Sequence, residues 1–515
     1  MPTTAAGVIF LLFTIVVQAL GRVWTNSAPL PPEIAHKILF SLPIADVTRV
    51  GSLSKSCRAF HLSNPILNFT AFPSDSTRTF DRRLQLFNSL DGFFIHRGTN
   101  KVHSVSIDLE CRYHFRETGI ENCCRLETSR VMGWIGNAIA CDVEALTVSL
   151  FFRTEIQEED DFPVTQIEFP SCVFSSGSLR YLAVNMRSAI LKGPCFSSSS
   201  ISNLVRLSLR NVTVEDEEGF CKWVSFSCRF LKKLLLECVN GLENIIIVSS
   251  SLEVFWVKCP SAFHLEVSGD KLEDVQIDWD SNRTDRIVLH ISAPNLKHLK
   301  WVGHLMKNLY LGEFNCLDEV EISFFKSDGL GGFLSLHDYV SARDQFVCSI
   351  GSAKVLILTQ WALETLFGEY FTHASFYNVW YLRICISRTI DDKLVRAMVF
   401  LFKGVPNLNT LDISSNIPSI EVGTNAFGFP KGYWELQGLD FISQLKEVTI
   451  ELTNGSNGIR LAWYILEHAQ NLKKMIVICF PNLPHHSGFM TKLKRTRILS
   501  NATVVIQEKK ESKYF

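Results

Sequence analysis

The chain contains no CxxC pair and no cysteine spacing suited to zinc, although it carries fifteen cysteines. An odd number, spread along the whole length, reads as free and mostly buried thiols in a reducing compartment. Cys123 and Cys124 are adjacent, which suits no ordinary disulfide. An excess of charge of either sign is also missing. The formal net charge is -1, so neither nucleic acid nor an acidic membrane surface is expected as the main partner. There is no GxxxxGK[ST], no HExxH and no GxSxG. Gly329, Gly331 and Gly332 lack the strand-to-helix setting of a phosphate loop. His485 and His486 have no cysteine or carboxylate cluster beside them, so no metal or cofactor is expected. No pair of carboxylates stands out as an acid/base couple. The chain therefore reads as an interaction protein rather than an enzyme.

Wholesale disorder is excluded too, because 47% of residues are hydrophobic and only 20% charged. At 515 residues, two to four domains are expected. Residues 1–21 carry no charged side chain, and Ala5–Leu20 is nearly all apolar. That is close to the ~17-residue minimum for a membrane span. It also has the character of a secretory core, with Val17-Gln18-Ala19 as a cleavage site, but lacks the usual leading Lys or Arg. Residues 1–22 are thus a signal, an anchor or an atypical start. Arg22 and Lys37 favour an anchor with its C-terminal side in the cytosol.

The stretch Leu30–Phe69 organises the rest of the chain. Pro31 and Pro32 suit a first helical turn. Ile34, Ile38 and Leu42, with Leu39 beside them, form an apolar stripe at helical spacing, and Pro43 ends it. Asp46 opens a second short helix carrying Val47 and Val50, which Gly51 breaks. Ser54 caps a third through Cys57 and Arg58. So small a unit needs a partner for its apolar stripe, either the next domain, as a helical cap, or another protein.

The stretch resembles the F-box, and in particular plant F-box/leucine-rich-repeat proteins with an FBD-type C-terminal region. The matching parts are Leu30-Pro31-x-Glu33-Ile34, Ile38-Leu39-x-x-Leu42-Pro43, Asp46-Val47-x-Arg49, Leu53-Ser54-Lys55-x-x-Arg58 and Asn64-Pro65-x-Leu67-x-Phe69. The family usually carries Trp where this chain has Cys57, and a larger apolar residue at Ser52. The resemblance implies that the box, residues 28–70, binds a Skp-type adaptor of a cullin–RING ubiquitin ligase. Leu30, Pro31, Ile34, Ile38, Leu42, Val47, Val50 and Leu53 would carry the contact.

Beyond a linking and capping region, 71–142, one signature recurs: apolar, two free, apolar, one free, apolar. It occurs at Leu179/Leu182/Val184, Leu204/Leu207/Leu209, Leu231/Leu234/Leu236, Leu252/Phe255/Val257, Leu272/Val275/Ile277, Leu296/Leu299/Trp301 and Leu317/Val320/Ile322, and again near Leu382, Leu411, Val448 and Met475. Starts fall roughly 20 to 27 residues apart in the central run, the range of leucine-rich repeats. Each copy is too small to bury its own apolar face, so copies stack, with one strand per repeat in a parallel sheet on the concave side. Asn211, Cys238, Cys259 and Cys479 read as small groups filling the turns after the strands. The repeats are expected over 143–420. The region 421–515 resembles the FBD type, most closely over Leu436–Phe480. The expected fold is α+β, a three-helix F-box followed by an irregular leucine-rich-repeat solenoid.

The free strand positions face the concave side of such repeats. Arg206, Arg210, Trp256, Lys258, Gln276, His298, Lys300 and Tyr310 are therefore the candidates for holding a target protein. Trp256 and Tyr310 stand out, because aromatic residues and Arg dominate binding hot spots. The function the resemblance implies is a substrate-recognition subunit working in nucleus or cytoplasm. The alternative is a secreted or membrane-anchored recognition protein whose helices only cap the solenoid.

Overall fold

A computed structural model describes Ile34, His36, Lys37, Leu39, Val47, residues 50–69, 79–113, 120–154, 166–187, 189–192, 202–259, 261–279, 287–326, 335–368, 375–387, 390–415, 429, 432–452, 456–479 and 502–508. The chain forms two units, Met1–Leu242 and Glu243–Phe515.

In the first unit, Ile34, Leu39, Val47, Val50 and Gly51 are helical. Helix α1, Lys55–Ser63, begins at Ser54, whose Oγ accepts a hydrogen bond from the Cys57 amide at 3.1 Å. This is the cap that the sequence predicts. The remaining elements are β1 (Ile66–Phe69), α2 (Thr79–Arg97), β2 (Ser104–Tyr113), α3 (Ile120–Ala140), β3 (Ala145–Thr154), β4 (Ile167–Glu168), β5 (Tyr181–Met186), β6 (Ala189–Leu191), β7 (Arg206–Arg210), β8 (Thr213–Val214), α4 (Glu217–Lys222) and β9 (Lys233–Glu237). The main sheet runs β1-β2-β3-β5-β7-β9 with every pair parallel. Leu146, Leu182, Leu207 and Leu234 stand in register and are buried, as are Val148, Val184, Leu209 and Leu236. The expected strand register is therefore the observed one. Helices α2 and α3 lock together through Phe87 and Trp134, 5.0 Å apart, and the Trp134 indole donates to Asp91 at 2.7 Å.

Asn211 and Cys238 directly follow β7 and β9, with φ of 51° and 50°. Asn tolerates this left-handed turn, and Asn211 Nδ2 also donates to the Asn185 carboxamide oxygen at 2.9 Å. Gly51, expected as a helix breaker, is itself helical. Its role is close packing, since a Cβ there would lie 2.8 Å from Cδ2 of His61.

The second unit comprises β10 (Asn244–Val248), β11 (Val254–Lys258), β12 (His264–Ser268), β13 (Asp274–Asp278), β14 (Val288–Ser292), β15 (His298–Gly303), β16 (Asn308–Leu311), β17 (Glu319–Phe324), α5 (Leu336–Ser349), β18 (Val355–Thr359), α6 (Gln360–Phe367), β19 (Tyr381–Ile386), α7 (Asp392–Gly404), β20 (Thr410–Ser415), β21 (Glu447–Glu451), α8 (Asn457–His468), β22 (Lys474–Cys479) and β23 (Thr503–Glu508). Its main sheet is the parallel run β11-β13-β15-β17-β18-β19-β20-β21-β22-β23.

The central repeats correct the expectation of one strand each. They carry two, and the second strands form a parallel sheet of their own, β10-β12-β14-β16. The first unit has a smaller counterpart, β4-β6-β8. The reason is length. A repeat of about 20 residues leaves no room for a helix of several turns after its first strand and turns. The longer intervals after β17, β18, β19 and β21 do, and there α5, α6, α7 and α8 form the return. In the C-terminal stretch Phe441, Leu445, Val448, Leu461, Ile465 and Met475 are buried, so it is built on the same helix-and-strand plan.

Candidate functional site

Two kinds of surface are candidates, and each is defined by the side chains that the fold leaves outside. In the N-terminal helical module, Leu39, Val47, Val50 and Cys57 are buried at 1–4% exposure, whereas Ile34 is 47% and Leu53 52% exposed. Val47 and Val50 thus point into the fold, and Ile34 and Leu53 lie on its surface. Leu30, Pro31, Ile38 and Leu42 lie outside the described residues. Cys57, where the family usually has Trp, sits inside the module, so an indole there would need a different packing of these helices.

On the first unit's main sheet, alternation along β7 buries Leu207 and Leu209 and turns Arg206, Ser208 and Arg210 to the other side. Arg210 pairs with Glu237 at 3.1 Å. Arg206 stands in register with Tyr181 and Lys233.

On the second unit's main sheet, Trp256, Gln276, Lys300 and Glu321 form one in-register row across β11, β13, β15 and β17. Lys300 pairs with Glu321 at 2.9 Å and Lys258 with Asp278 at 2.9 Å. Gln276 donates to Asp274 at 3.2 Å, and His298 is exposed at the start of β15. The row has Trp256 at one end, then Gln276 and the Lys300–Glu321 ion pair.

Tyr310 is not part of that row. It lies on β16, in the second sheet, 56% exposed and 6.4 Å edge-on from His290, which itself faces Glu266 at 3.5 Å. The other target-face candidates occupy the expected outward positions of main-sheet strands. Arg206 and Arg210 do so on β7, Trp256 and Lys258 on β11, Gln276 on β13, and His298 and Lys300 on β15.

Sequence reasoning missed a further cluster on β19 and β20. Tyr377 and Trp380 are exposed just before β19, and Trp380 meets Tyr381 edge-on at 5.9 Å. Burial and the Asp412 carboxylate push the Tyr381 phenol above its usual range. Arg383 lies 3.5 Å from Asp412 across the two strands. The signal was available, because Trp380, Tyr381, Arg383 and Asp412 occupy free positions of the signature at Val379/Leu382/Ile384 and Leu408/Leu411/Ile413.

Among the described residues no group of three or more His, Cys, Asp or Glu side chains could hold a metal ion, and no helix is long and apolar enough to cross a membrane. Ala5–Leu20 lies outside the described residues.

Parallel strands recurring with the apolar signature define a leucine-rich-repeat type of stack in each unit. Comparison with known proteins agrees. The chain is 24% identical over 503 residues to a putative F-box/FBD/LRR-repeat protein of Arabidopsis thaliana, covering 92% of each chain. It is 24% identical over 497 residues to another F-box/FBD/LRR-repeat protein of that plant, covering 93% of this chain and 95% of the relative. An FBD-associated F-box protein, also from Arabidopsis thaliana, matches at 24% over 461 residues, 88% of this chain. No protein-family model matches. The resemblance to plant F-box/leucine-rich-repeat proteins with an FBD region thus extends over most of the chain.

Proposed function

We propose that the chain is the substrate-recognition subunit of a cullin–RING, SCF-type ubiquitin ligase. Residues 28–70 form the F-box and bind the Skp-type adaptor, while the repeats over 143–420, extended by the FBD-like 421–515, hold a target protein. The observation that carries this reading is similarity running through more than nine-tenths of both this chain and relatives named for F-box, FBD and leucine-rich repeats together. The split in the helical module between buried Val47 and Val50 and exposed Ile34 and Leu53 supports an apolar contact there. Such a subunit catalyses nothing itself. It raises the effective concentration of target lysines near a ubiquitin-charged enzyme. The free cysteines, six of the eleven described being buried, fit a working place in nucleus or cytoplasm.

The test is adaptor capture. In the sequence pattern Leu30 and Pro31 open the first helix of the box, ahead of the apolar stripe, which makes them the residues to truncate. The Leu30→Ala, Pro31→Ala double variant is expected to lose at least roughly tenfold in affinity for a plant Skp-type adaptor, as loss of a central anchor does. Its circular dichroism should match the parent's. A parent protein that binds no adaptor overturns the reading.

A further inference from the structure

On the outward side of the first unit's main sheet, Arg206 lies in register between Tyr181 on β5 and Lys233 on β9. Adjacent strands are ~4.8 Å apart, so two cationic side chains rise from directly neighbouring positions of the sheet. Both residues are exposed, and among the described residues neither forms an ion pair. This departs from the chain's practice elsewhere. Arg210 faces Glu237, Lys258 faces Asp278 and Lys300 faces Glu321, each across neighbouring strands at 2.9–3.1 Å. Like charges set directly opposite one another on a sheet cost stability. Acidic residues are not scarce, at 52 against 51 basic. Between this row and the Arg210–Glu237 row, β5 and β7 carry only Ala183 and Ser208. These short side chains leave a shallow trough between the Arg206–Lys233 row and the Arg210–Glu237 ion pair, and Tyr181, 48% exposed, is the neighbour of Arg206 on β5.

We propose that this trough receives an acidic, extended segment of a target protein, with its carboxylates on Arg206 and Lys233. This rests on the reading of the repeats as the target-binding part and adds the chemistry of what is bound. The unpaired cations are held in mutual repulsion by the fold, and the bound carboxylates relieve it. A nucleic acid fits less well, since its closely spaced phosphates call for several further cations.

The experiment uses the purified full chain and fluorescence anisotropy with a labelled hexa-aspartate peptide. Hexa-lysine and a thymidine oligonucleotide of equal charge are the comparison probes. The Arg206→Gln, Lys233→Gln variant should bind hexa-aspartate at least roughly tenfold more weakly and melt at or above the parent's temperature. The Lys473→Gln, Lys474→Gln variant, which removes exposed cations of the second unit, should bind within about twofold of the parent. The proposal is overturned by absent hexa-aspartate binding, by an equal loss in the Lys473/Lys474 variant, by tighter binding of the oligonucleotide, or by a lower melting temperature of the Arg206/Lys233 variant. Adaptor capture on the same preparations reports separately on the ligase reading, so either can fail while the other stands.

Discussion

At the scale of single residues, His61 shows how much the fold decides. It is 8% exposed, its ring lies 4.7 Å from Phe93, and the Arg97 guanidinium sits over the same Phe93 ring at 5.6 Å. Burial first, then the charges of Arg97 and Arg58, lower its pKa from 6.5 to about 4. The unfolded chain takes up the proton near pH 6.5, whereas the folded chain refuses it until about pH 4. Stability should therefore fall as pH drops through that window and level off below it, by roughly 3 kcal/mol in total for this one group. Urea midpoints between about pH 7 and about pH 4.5 test this. The His61→Phe variant keeps the stacking and should lose that part of the slope; an unchanged slope would mean another group is responsible. Nothing in the sequence marks His61, because its burial depends on Gly51 from one helix and Phe93 from another. The Ser54 cap was legible, since a cap is a local pattern. The space that Gly51 leaves for His61 was not.

Elements were legible where the pattern is local and repeated. The strand signature fixes which residues point inward, because side chains alternate strictly and a slip by one residue would expose every leucine. Leu234 is fully buried while its neighbour Leu235 is half-buried on the opposite side. Leu234→Asp should therefore cost several kcal/mol, on the order of 3–5, and unfold the neighbouring repeats, since it buries an unpaired charge. Leu235→Asp should stay within about 1 kcal/mol of the parent. Thermal melts of the two variants decide the register, and equal melting would refute it. The second sheet is harder to read for a related reason. Leu242/Ile245/Ile247 and Ala262/Leu265/Val267 follow the same spacing as the main strands, and both sets are buried. Assigning one strand per repeat leaves the second copies as connections, and that assignment puts Tyr310 on the wrong sheet.

At the scale of the whole molecule, the receptor reading assigns two jobs to two surfaces that share no residue. Changes at sites without common partners add independently. On that reading Trp256, whose in-register row continues through Gln276 and Lys300, serves the target face, and Leu30 and Pro31 serve the adaptor contact. Self-ubiquitination in a reconstituted ligase separates the two, because it needs the adaptor but no target. Trp256→Ala should leave both adaptor affinity and self-ubiquitination within about twofold of the parent. The Leu30→Ala, Pro31→Ala variant should lose self-ubiquitination in proportion to its lost adaptor affinity. Combining all three substitutions should give the loss of the adaptor variant and nothing more. If Trp256→Ala alone abolished self-ubiquitination while the chain stayed folded, the two surfaces would be coupled. The effective-concentration account, in which the repeats only hold and the box only tethers, would then have to be abandoned.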